Sequence, residues 1–207
     1  YKRQVTNMLH AVELASGQWI AGISPGDYVY DASTVRWVLD MLRKDAPQVA
    51  FGKSAYYRQE ADDTLVQLPG ETPFDRTPYE AAHYDNKAIR RNVLLYDDGI
   101  SGIETIYERG IFLDALQKMN GRVRFAEDFA TRMFAVQGLY IRCYDRILRW
   151  YEYGTGVSTN EKARARMDAD WRAMLTLMRE LYPQDCMVRL AWEYYHNDRH
   201  KSRLVRG

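Results

Sequence analysis

A chain of 207 residues, 46% of them apolar and 28% charged, is long enough to bury a core without cross-links. Its formal net charge of +1 excludes a global field that would draw it to nucleic acid or anionic lipid. No apolar run approaches the ~18 residues of a membrane-spanning helix, and two cysteines are too few for a disulfide scaffold.

In chain order, residues 4–16 predict a helix with Val5, Met8, Leu9 and Val12 on one face. A Gly- and Pro-containing loop with Trp19 and Ile20 follows. A second helix is expected over 32–44, capped by Asp31 or Ser33, with Val35, Val38, Leu39 and Leu42 as its buried face. Residues 48–78 show the least regular pattern. Segments 48–51 and 64–68 suit short strands, but neither alternates cleanly, and Pro69, Pro73 and Pro78 favour a long loop. Thr77-Pro78-Tyr79-Glu80 then reads as a helix start, with Ala82, Ala88, Ile89, Val93 and Tyr96 packing one side. Ser101-Gly102-Ile103-Glu104 fits a capping box for a helix running to Asn120.

The strongest apolar stripe lies between Phe125 and Trp150. Phe125, Phe129, Met133, Val136, Tyr140, Cys143, Ile147 and Trp150 recur at spacings of three and four, the signature of a helix with one buried face. Arg124, Asp128, Arg142, Asp145 and Arg149 then fall on a solvated or partner-contacting face, and Gly138 marks a break. Ser158 to Glu161 form another capping box. The next stripe is Met167, Trp171, Met174, Met178 and Leu181, stopped by Pro183. A last helix spans about 185–197, and Cys143 and Cys186 read as buried free thiols in or beside these stripes. The fold expected is all-α: helical hairpins, an irregular bundle or a short α-solenoid of six or seven helices with a long central loop. It divides into an N-terminal helical segment (1–47), the Pro-containing loop (48–78) and a main helical domain (79–207).

Tyr144-Asp145-Arg146-Ile147-Leu148, followed by the Met-rich stretch from Trp171 to Leu181 and by Pro183, resembles one pentatricopeptide repeat. The resemblance covers some 60 residues. It implies paired antiparallel helices and, in such organellar accessory proteins, a place in a mitochondrial ribosome or ATP synthase. It carries over no base-reading residues.

Few motifs point to chemistry. His196 and His200, four apart, have the spacing with which one helix face holds a metal, although a polar helix end explains them as well. Gly52-Lys53-Ser54 lacks the upstream glycine of a phosphate-binding loop, and no nucleophile elbow is present. No catalytic residue and no cofactor is expected. Arg outnumbers Lys by 22 to 7, and Tyr numbers 16, a bias shared with protein–protein interfaces. The reading is therefore a non-catalytic accessory or scaffold subunit that contacts other subunits of a large complex through Trp19, Tyr56, Tyr57, Trp192 and Tyr195. Its expected setting is mitochondrial, otherwise cytoplasmic, and the start at Tyr1 suits equally a trimmed start, a disordered one or a removed leader. The alternatives are an RNA-binding helical repeat using the basic stretch Arg142–Arg166, and a metal-binding helical enzyme using His196 and His200.

Overall fold

The computed structural model describes residues 4–69, 73–153 and 161–197, the side chains of 161–164 excepted. The helices are α1 (Gln4–Leu14), α2 (Thr34–Asp45), α3 (Asn86–Leu95), α4 (Arg109–Met119), α5 (Ala130–Gln137), α6 (Glu161–Leu181) and α7 (Cys186–His196). The strands are β1 (Trp19–Ala21), β2 (Tyr28–Val29), β3 (Val49–Gln59), β4 (Leu65–Leu68), β5 (Thr105–Glu108) and β6 (Ile141–Glu152). The chain is thus mixed α/β, 49% helix and 20% strand, and its strands curl into a half-barrel. This overturns the all-α fold and the helical-repeat architecture that were expected. Tyr144–Leu148, which carried the first helix of the supposed repeat, lies in β6.

The sheet order is β1-β5-β3-β6-β2, with β4 pairing β3 beyond the end of β5. Strand β3 is its centre, so residues 49–59 form the innermost strand where a long loop was expected. Strands β3 and β6 run parallel over nearly their whole length, and the other pairings are antiparallel. The register runs Phe51 to Cys143, Lys53 to Ile147 and Ser54 to Arg149, so β6 bulges twice against β3. These bulges explain why β6 looks helical in sequence. Each one breaks the period of two and shifts the apolar residues to spacings of three and four. Gly138, left-handed at φ 74°, closes α5 just before the β-branched and aromatic run begins.

Two further helix starts prove to be something else. Thr77–Tyr79 is a single 3-10 turn, and α3 begins only at Asn86, where the Asp85 carboxylate accepts the amides of Lys87 and Ala88. Residues 102–104 also form a 3-10 turn, leading into β5, and Glu108 caps α4. The capping box at Ser158 lies outside the described residues.

The two faces of the sheet are covered unequally. Val49, Phe51, Tyr107, Ile141 and Cys143 join the large core formed with α1 and α3–α7. Ala50, Ile106, Tyr144 and Leu148 face the other way, into a small cluster closed by Leu42, Trp37, Val38 and Met41 of α2 and by Trp19. Among the described residues, α2 is the helix that packs on this cluster. No helix among the described residues is long and apolar enough to cross a membrane.

Candidate functional site

On the sheet face that α2 covers, two apolar side chains of the helix reach solvent. Helix α2 starts where the Asp31 carboxylate accepts the Ser33 amide at 2.8 Å and the Ser33 and Thr34 hydroxyls at 2.7 and 3.0 Å. It ends at Ala46, in the left-handed region at φ 46°. In between, Leu42 packs on the sheet and Trp37 meets the Tyr144 ring edge-on at 5.4 Å, while the Tyr144 hydroxyl donates to Asp45 at 3.1 Å. One helix cannot turn all its apolar residues inward. Val35 and Leu39, one turn apart, stay 55% and 38% exposed, against the expectation that they are buried. They border a groove of about 150 Å³ between α2 and β1, with Trp19 and Val38 on its walls, Ile106 and Leu148 in its floor, and Glu104 and Arg149 as its charged lining. Arg36, Arg43 and Lys44 give the exposed side of α2 a basic rim against Asp40.

Of the five expected anchors, only Trp19 borders this groove. Tyr56 and Tyr57, each 8% exposed, are buried on β3. Tyr56 packs against Tyr151 and Tyr153, and the Tyr57 hydroxyl donates to the Gly26 carbonyl. Trp192 stacks on His196 at 4.5 Å under the Arg179 guanidinium, and Tyr195 meets Trp171 edge-on at 5.5 Å. The structure does not bring these five together. His196 has its Nδ1 by the Trp192 carbonyl at 2.9 Å and its Nε2 by the Thr176 hydroxyl at 3.5 Å. His200 lies outside the described residues, among which no group of three His, Cys, Asp or Glu side chains is placed to hold a metal ion. Cys143 is buried, which pushes its thiol up to about 11, whereas Cys186 is exposed rather than buried.

Two of the arginines suggested for RNA contacts, Arg142 and Arg146, are engaged within the chain. Arg142 lies near Asp45 at 3.6 Å and donates to the Tyr79 carbonyl, and Arg146 reaches Ser33 and Asp31 and lies over Trp37. Gly52-Lys53-Ser54 is mid-strand in β3, not a loop before a helix.

A second concavity, of about 460 Å³, carries Asp128 and three carboxylates that periodicity did not single out, Asp27, Glu127 and Glu152. Asp128 belongs to this cavity rather than to a solvated helix face. Asp27 is fixed by the Glu152 amide at 3.1 Å, and Glu127 accepts from Gln4 of α1 at 3.1 Å. Burial, and then the charge of Asp128, push Glu127 up to about 8. Burial also raises Asp128, against the pull of Arg132, and raises Asp27. The signal in sequence was an acidic pair set between Phe125-Ala126 and Phe129, where full solvation is not to be expected. Glu127 can therefore hold its proton at neutral pH. No protein-family model and no curated protein matches this chain.

Proposed function

We propose that this protein is a non-catalytic accessory or scaffold subunit of a larger assembly, and that it seats a neighbouring subunit in the groove between α2 and β1. The observation that carries the reading is the pair Val35 and Leu39, which expose an apolar ridge one helical turn long beside the Trp19 groove. The spacing of four suits an amphipathic helix laid along α2, and the basic rim of Arg36, Arg43 and Lys44 favours acidic residues flanking its apolar side. A chain with few Lys and many Arg and Tyr supports the same reading.

Affinity purification of the tagged chain from its native source, with a nuclease-treated control, tests this. The expected result is a fixed set of nuclease-resistant protein partners, lost from the double variant Val35→Asp, Leu39→Asp while its circular dichroism and melting temperature hold. An unchanged partner set would mean that α2 is not the docking surface. Loss of every partner to nuclease would replace the reading with a nucleic-acid binder.

A further inference from the structure

Far from α2 along β3, the sheet narrows to β2, β6, β3 and β4, and its aromatic residues sort onto two faces. Tyr56, Tyr151 and Tyr153 pack on one another on one side. On the other, the Tyr57 and Trp150 rings stand at 76° with centroids 6.4 Å apart, forming a corner in an open cleft of about 520 Å³. The corner is held from behind. Tyr30 stacks on Trp150 at 5.3 Å, and the Tyr57 hydroxyl is tied to the Gly26 carbonyl. Tyr28, the cross-strand partner of Trp150, forms a third wall and is 61% exposed.

The polar lining has one sign. Asp63 sits at the β3–β4 turn, where one carboxylate oxygen accepts from Gln59 at 2.8 Å, and Gln67 adds a second amide. Among the described residues the lining includes no Lys or Arg. Burial first, and then the neighbouring Glu152, Tyr28 and Asp27, push the Tyr57 hydroxyl above its ordinary value.

These features select a ligand class. One face of Trp150 is covered by Tyr30 and little of Tyr57 is open, so the cleft offers a corner of ring surface, not a flat platform for a sugar or a base. Aromatic walls attract weakly hydrated cations through the negative faces of their rings, and a carboxylate at the rim adds to the attraction. We propose that the cleft formed by Tyr28, Tyr57 and Trp150 with Asp63 is a binding site for an alkylammonium group, carried on a small molecule or headgroup or on a modified lysine side chain. The site is independent of the α2 groove and shares no lining residue with it.

The test is titration of the intact chain, followed by the indole N–H resonance of Trp150. The probes are choline, a short peptide containing trimethyllysine, and dimethylbutanol, the neutral carbon isostere of choline. Both cations should give saturable shifts and dimethylbutanol none. Tighter binding of the peptide assigns the group to a protein side chain, and tighter binding of choline to a free amine or headgroup. Tyr28→Ala and Asp63→Asn change exposed residues, and Asn tolerates the left-handed φ of 64° at position 63. Each should weaken choline about tenfold with the fold intact. An equal response to dimethylbutanol, no saturable shift with either cation, or unaltered binding in both variants would overturn the assignment.

Discussion

Gly52 stands where the two long strands come too close for a side chain. A Cβ there would lie 2.5 Å from Leu148 Cγ and 2.8 Å from the Arg146 carbonyl oxygen, both in the bulged part of β6. Gly52→Ala should therefore cost about 2–3 kcal/mol in urea unfolding. Adding Leu148→Ala should recover only part of this, because the Arg146 contact is backbone and cannot be trimmed. Arg132 makes a second demand of this kind. Its guanidinium is 5% exposed, lies 4.2 Å from the Phe129 ring and 4.5 Å from the Trp171 ring, and donates to Asp97 at 2.8 Å. A lysine keeps the charge but lacks the planar guanidinium that lies over both rings. Arg132→Lys should lower stability by about 1–2 kcal/mol and weaken the near-ultraviolet dichroism of Trp171.

Among the elements, α6 does more than cover the core. Its buried Asp170 accepts the amides of Arg124 at 3.1 Å, of Phe125, and of Ala126 at 3.2 Å, and so anchors the entry to α5. Asp170→Ala would leave these donors without the carboxylate, at a cost of about 3 kcal/mol. Hydrogen exchange should show the loss first at 124–126, and uniform loss across the chain would contradict this role. Helix α6 was legible in sequence because Trp171, Met174 and Met178 face one core without interruption. Helix α1 was legible for the same reason, whereas the stripe of α2 includes the exposed Val35 and Leu39. The strands were not legible. Strand β3 is covered on both faces over Val49–Phe51 and so cannot alternate, while the bulges of β6 imitate a helical period. The site was half legible. Trp19 stood out by type, but Val35 and Leu39 share the helical stripe of Leu42, and only the sheet's shape decides which of the three is covered.

For the molecule as a whole, the acidic cavity sets how stability depends on pH. Glu127 is raised from an ordinary 4.5 to about 8, and Asp128 and Asp27 are raised in the same direction. In that window the folded chain holds more protons than the unfolded one, so stability falls as pH rises. The contribution is complete below about 4.5 and gone above about 8. Asp31, Asp62 and Asp145 are lowered and act oppositely, but only as pH falls through values below 3.8, and all three are fully exposed. The urea midpoint should therefore be higher near pH 5 than near pH 8. Glu127→Gln keeps the acceptor for Gln4 and removes the charge, so it should flatten this slope and raise stability at the alkaline end. The effect also has a place in the fold. Ionised Glu127 sits beside Asp128 in the lining of a cavity that α1, the turn before β2 and the end of β6 close together. Amide exchange at residues 22–27 should speed up with pH beyond its chemical rate in the native chain and stay flat in Glu127→Gln. A flat urea midpoint in the native chain would show instead that Glu127 is solvated and unshifted.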